Sequence, residues 1–176
     1  KEMEKVTQRK MEIGGLLSGL IMFQVVLLSL MGSNNSAREI AGEREIFEKE
    51  KLAGLSTMGY LGSKVFFLLT LVLIQSVWMY LFVFIFAENM NTDPFLHAGL
   101  LILVNAAMTA ICLGISASMK SADQASLMSI YLVGFQLPLS GAVLALPKLV
   151  EPVITPFISA YWSWSGVCKS LASDCL

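Results

Sequence analysis

VFFLLTLVLIQSVWMYLFVFIFA, Val65 to Ala87, is an uncharged run whose length decides the fold. A helix rises about 1.5 Å per residue, so about 20 apolar residues cross a hydrocarbon core of about 30 Å. Three further runs meet that condition: Ile13 to Met31, Ala98 to Met119 and Ala125 to Pro147. Of the 176 residues, 56% are hydrophobic and 14% charged, and mean hydropathy is +0.71. A soluble domain carries about 25% charged residues. The sequence therefore reads as an all-α integral membrane protein, a helical bundle with four transmembrane helices at about 13–31, 62–87, 97–119 and 125–147. The stretch 152–167 is short for a crossing, and its Pro152, Pro156, Tyr161, Trp162 and Trp164 suit the headgroup level. An interfacial or re-entrant segment is expected there.

Several chemistries are excluded by what the sequence lacks. A net charge of −1 supplies no basic field for nucleic acid. Gly54-Leu-Ser-Thr-Met-Gly59 has the glycine spacing of a phosphate loop, but Tyr60 and Leu61 follow where Lys and Ser/Thr are needed. Leu139-Ser140-Gly141, similar to the start of an ATPase signature, lies inside an apolar run. His97 has Asp93 four residues before it but no second His or Cys at ligand spacing, so a polar pair at a helix start is expected rather than a metal site. No serine sits in G-x-S-x-G, and no catalytic constellation is visible. Cys112 reads as a small buried apolar residue, while pairing of Cys168 with Cys175 stays open.

The connections carry the punctuation. Ser36-Ala37-Arg38-Glu39 fits a capping box opening a helix at about 37–53, with Gly54 as its left-handed stop. Along it, Glu45 with Lys49 and Arg44 with Glu48 are spaced as i,i+4 ion pairs, and Ile40 and Phe47 share a face. Two readings fit: an amphipathic helix at the membrane surface, or a solvated loop helix. Asp93-Pro94 opens another helix, and Lys120 to Gln124 is a tight polar link. Lys and Arg divide six to six between the two sides; without the N-terminal flank the division is six to two, which favours a cytoplasmic charged block.

Inside the expected spans there is no Asp, Glu, Lys or Arg deep in the apolar runs, which weakens proton relays and ion channels. The larger interior polar groups are Gln24, Gln75, Asn105 and Gln136. They either hydrogen-bond between helices or line a path for an apolar or amphipathic substrate. Small residues at Ala106, Ala110, Gly114 and Ser118, and Gly15-Leu-Leu-Ser-Gly19, let helices approach closely, within the chain or across a dimer.

At the charged block, Glu43-Arg44-Glu45-Ile46-Phe47-Glu48-Lys49-Glu50 followed by Tyr60-Leu61-Gly62-Ser63-Lys64 resembles a family pattern, E-R-x-x-F-x-R-E and then a tyrosine before S-K or A-K. The pattern is that of type-2 ABC transporter permeases, in the White pigment-precursor and sterol-exporter branch (the G subfamily). The link Lys120 to Gln124, Phe135 to Gly141, and the Trp-rich Ile158 to Trp164 match it in order and spacing. Lys49 departs from the usual Arg.

The resemblance implies that these are spans two to five of a six-span unit, with an amphipathic cytoplasmic coupling helix and an external re-entrant segment. It implies the permease part of an ATP-driven exporter in the inner or plasma membrane. The partners would be an ABC ATPase domain, a second permease half in a homo- or heterodimer, and membrane lipid. ATP and Mg would be bound by the ATPase domain, with no cofactor, metal or catalytic residue in this chain. Glu43, Arg44, Phe47, Lys49, Glu50 and Lys64 would couple the spans to the ATPase. A non-transporting helical membrane scaffold or assembly protein is the alternative.

Overall fold

A backbone group in hydrocarbon has no water to bond, so a chain this apolar must satisfy its own N–H and C=O groups within helices. The computed structural model describes residues 2–86, 94–136 and 158–173, and their side chains from residue 14 onward except 17, 86, 168 and 170–173. The described residues contain six α-helices and no strand. These are α1 (Glu2–Ser36), α2 (Arg44–Leu52), α3 (Thr57–Phe86), α4 (Pro94–Ser118), α5 (Ala122–Gln136) and α6 (Ser159–Ser173), with a 3-10 turn at Ala41–Glu43 before α2.

Three stretches among the described residues are long and apolar enough to cross a membrane: Gly14–Leu52, Thr57–Ile85 and Pro94–Ser118. The first comprises most of α1 and then, past a break, the charged α2. The expected fourth span at 125–147 is described only as the 15-residue α5; residues 137–147 lie outside the described residues. Of the expected re-entrant segment at 152–167, residues 152–157 lie outside them too, and α6 begins at Ser159. Pro94 is the first residue of α4, where its missing N–H costs nothing.

The charged helix starts later than the reading of Ser36 to Glu39 as a capping box places it. Ser36 is the last residue of α1, and its Oγ donates back to Gly32 O at 2.7 Å instead of opening a new helix. Glu39 turns away to Lys64, and residues 37–40 form a turn. A hydroxyl near a helix end finds the carbonyl one turn back as readily as a following N–H. The left-handed stop is where it was expected. Gly54 has φ +104°, Leu55 N–H donates to Glu50 O and Gly54 N–H to Lys51 O, the paired bonds of a Schellman end.

Helices α1 and α4 form the centre, each in contact with the other and with α3, α5 and α6. The inner face of α4 is Leu101, Val104, Asn105, Met108, Thr109, Cys112 and Ser116, a 3.6-residue repeat that meets Ile21, Gln24, Val25, Leu28 and Ser29 of α1. Cys112 is fully buried, as expected. Lipid tails are as apolar as leucine, so close van der Waals packing and hydrogen bonds, rather than escape from solvent, hold these helices together.

Among the described glycines, Gly32 marks a close approach of α1 to α4. A Cβ there would lie 2.7 Å from Asn105 Oδ1, 2.9 Å from Thr109 Oγ1 and 3.0 Å from the Asn105 backbone oxygen. The small residues singled out by spacing face elsewhere. Gly15, Gly19 and Gly114 have open space where a Cβ would go, and Ala110, Gly114 and Ser118 are exposed. Replacing Gly32 with Ala is expected to push α1 off α4 at a cost of about 1–3 kcal/mol, while Gly114→Ala leaves stability unchanged. Thermal unfolding of the two purified variants in detergent checks this contrast.

Candidate functional site: an ionic junction at the foot of α3

Only four residues, 53–56, separate α2 from α3, and both ends of that link are capped locally. Gly54 closes α2, and Ser56 Oγ accepts the Gly59 N–H at 3.2 Å to open α3. The two glycines spaced like a phosphate loop are thus a helix stop and a position beneath a helix cap. Their spacing needs no nucleotide to explain it.

Lys64, inside α3, is the centre of the site. Its Nζ lies 2.8 Å from Glu39 Oε1 and 2.7 Å from Glu43 Oε2. The Lys64 side chain is 16% exposed, so the pair of carboxylates does much of what water does elsewhere for an ammonium. Tyr60, one turn earlier in α3, donates its hydroxyl to Glu43 Oε2 at 3.2 Å. The Phe47 ring of α2 packs on Tyr60 with centroids 4.6 Å apart. One cation therefore joins the turn after α1, the 3-10 turn before α2, and α3.

A second set of bonds ties the same turn to α4. Ser116 Oγ accepts the backbone N–H of Ile40 at 3.1 Å and of Ala41 at 3.0 Å. Arg44 Nη2 donates to Ala117 O at 2.8 Å, one of the last-turn carbonyls that α4 cannot satisfy itself. Arg44 thus does not form its expected pair with Glu48, nor does Glu45 pair with Lys49, among the described residues. Such exposed pairs contribute only about 0.2–0.5 kcal/mol each, less than a charge-assisted bond to a free carbonyl.

The structure thus gathers Glu43, Lys64, Arg44 and Phe47 at one junction. It adds Glu39, Tyr60 and Ser116, which sequence spacing does not pick out as site residues. Lys49 and Glu50 stand on the exposed face of α2 with Glu45 and Glu48. Among the described residues no group of His, Cys, Asp and Glu could hold a metal ion.

The four neutral polar residues of the spans all bond between helices. Gln24 Nε2 donates to Met79 O at 3.3 Å, and its Oε1 lies 3.1 Å from His97 Nε2, so that nitrogen carries the proton. Asn105 Nδ2 reaches Val72 O, Gln75 Oε1 and Ser76 Oγ at 3.4, 3.4 and 3.3 Å. Gln136 Oε1 accepts from Ser159 Oγ at 3.0 Å, fastening α5 to α6. His97 is buried, edge-on to Tyr80 at 5.7 Å; Asp93, its expected partner, lies outside the described residues.

Removing the cation should hurt the junction more than removing one anion. Lys64→Gln leaves Glu39 and Glu43 facing each other, and is expected to speed amide hydrogen exchange across residues 41–53 by an amount equivalent to about 1 kcal/mol. Glu43→Gln, with Glu39 still on Lys64, should move it less. Equal exchange in wild type and Lys64→Gln would contradict this ranking.

No curated protein matches the sequence. A family model described as ABC-2 type transporter, the membrane domain, matches residues 3–165, nearly the whole chain and all of α1 to α5 except the first residue of α1. With apolar helices long enough to cross a bilayer and this match over nearly the whole chain, the chain is a membrane protein that belongs to the ABC-2 type transporter family, as a permease component.

Proposed function

We propose that this chain is the membrane-spanning part of an ATP-driven exporter, in the White-like branch of the family, forming a translocation path and coupling it to a separate ATPase. Permeases of this family usually work with an ABC ATPase partner. The observation that carries the reading is the division of labour on α2. With the 3-10 turn before it, its inner side is fixed to α3 through Glu43 and Phe47 and to α4 through Arg44, while Glu45, Glu48, Lys49, Glu50 and Lys51 leave a charged outer face for a protein partner.

Force on that outer face has short routes into the bundle. It passes to α3 through Glu43–Lys64 and the Phe47–Tyr60 ring contact, and to α4 through Arg44 and Ser116. ATP-driven movement of the partner would tilt α1 and α3, as spans two and three of a six-span unit, and change access between membrane faces. In this reading α2 is the cytoplasmic coupling helix, α5 is the start of a fourth crossing, and α6 belongs to an external re-entrant segment. ATP and Mg are bound by the ATPase, a second permease half completes the path, and the inner or plasma membrane is the site of action. Gln24, Gln75, Asn105 and Gln136 hold the walls of that path in register.

Charge reversal separates coupling from folding. Glu50→Lys alters only the exposed face of α2 and is expected to abolish transport in vesicles reconstituted with the ATPase while ATP hydrolysis continues and membrane insertion stays normal. Glu43→Lys should do the same by breaking the junction from inside. Full coupling in both variants would overturn the coupling role of α2, whereas no ATP-dependent transport by the wild type would favour a non-transporting scaffold.

A further inference from the structure

The helical stretch that begins at Ala41 has no cap from its own segment. Ile40, which precedes the 3-10 turn, and Glu43, which precedes α2, make no side-chain cap bond. Gly42 and Glu43 give their N–H groups to Arg38 O and Ile40 O. That leaves the N–H groups of Ile40 and Ala41 at the entry, and Ser116 Oγ of α4 accepts both, at 3.1 and 3.0 Å. Two N–H groups occupy the two lone pairs of a hydroxyl. Ser116 thus does from another helix, 75 positions from Ala41, what an N-cap serine does from its own.

Burial separates this link from the polar links around it. Arg44 and Ala117 meet at the exposed surface, and the Lys64 ion pairs are part-exposed, so water and salt compete with both. Ser116 is fully buried and Ala41 is 7% exposed. An N–H pulled off Ser116 without water to replace it bears the full desolvation penalty. Under load the exposed links exchange with solvent, and the Ser116 link holds.

We infer that Ser116 is a positioning residue for coupling, which latches the turn between α1 and α2 to the last turn of α4. Residues 40–52 and the end of α4 then move as one body, and α4 becomes a driven span beside α1 and α3. The inference rests on the coupling role proposed above for α2 and adds α4 to what α2 moves. Ser116 acts through the turn that it holds and touches no cargo in doing so.

The test uses the full transporter with its ATPase in vesicles, carrying spin labels as unnatural residues at positions 46 and 120, both exposed. With Ser116 in place, the separation of the two labels should be the same in nucleotide-free and vanadate-trapped states. Ser116→Ala removes the acceptor. It should make that separation differ between the two states and lower transport per ATP hydrolysed about fivefold, the factor by which losing a helix cap shifts a local equilibrium. A separation that changes through the cycle with Ser116 in place would overturn the inference, and that measurement needs no variant to fold. Transport and hydrolysis falling together in Ser116→Ala, with their ratio kept, would overturn it too, because that is the mark of lost stability alone. Unchanged transport per ATP in Ser116→Ala beside an uncoupled Glu50→Lys would sink this inference and leave the coupling role of α2 standing; full coupling in both would remove the two together.

Discussion

The approach of α1 to α4 at Gly32 is the contact on which the other positions depend. Because nothing but hydrogen occupies that side of the residue, the Asn105 amide and the Thr109 hydroxyl lie against the α1 backbone. Asn105 then has its Nδ2 free to reach across to Val72, Gln75 and Ser76 of α3. The same approach brings Ser116, farther along α4, under the turn that follows α1. A wider separation would lose the bonds to Ile40 and Ala41, and the ionic junction would have no fixed floor.

Hydrogen bonds between the larger buried polar side chains fix the helix pairs more specifically than hydrophobicity does, although Ser29 Oγ, Asn105 Oδ1, Thr109 Oγ1 and Ser129 Oγ have no partner among the described residues. The chain has apolar surface in excess, and lipid is indifferent to which part of it is covered. What differs between one helix arrangement and another is whether Gln24, His97, Asn105 and Gln136 find partners, since each left bare in hydrocarbon would cost free energy. Gln24 and His97 fix α1 against α4, Asn105 fixes α4 against α3, and Gln136 fixes α5 against α6. Trp164 Nε1, donating to Ser18 Oγ at 3.1 Å, adds α6 to α1 at the end opposite α2.

Much of this was legible in the sequence, and the parts that were not share a cause. Run length alone located three apolar crossings among the described residues; Pro94 marked the start of α4 because its ring fixes φ and removes a donor, and Gly54 the end of α2 because a residue without Cβ takes a positive φ without strain. The charged block was recognisable by its resemblance, and Glu43 and Lys64 proved to be in contact. Spacing could not say that Glu39 joins them, 25 positions from Lys64 in the chain. Nor could it say which small residue faces a neighbour: a four-residue repeat fixes a face, not its direction, so Gly114 pointed outward while Gly32, outside any repeat, was the one in contact. Ser36 was misread because a serine at a helix end serves the preceding helix and the following one equally well in local sequence.

The dimensions of α3 bear on where α2 stands. From Val65 to Phe86 the helix measures about 33 Å, a close fit to a hydrocarbon core of about 30 Å. The eight residues before it, Thr57 to Lys64, add about 12 Å that the bilayer does not need. They form a stalk, stiffened by the Lys64 carboxylates and the Tyr60–Phe47 contact, against which α2 packs. A thicker membrane would swallow part of that stalk and draw α2 toward the headgroups, so lipid thickness becomes a quantity to which the exposed face of α2 is mechanically sensitive.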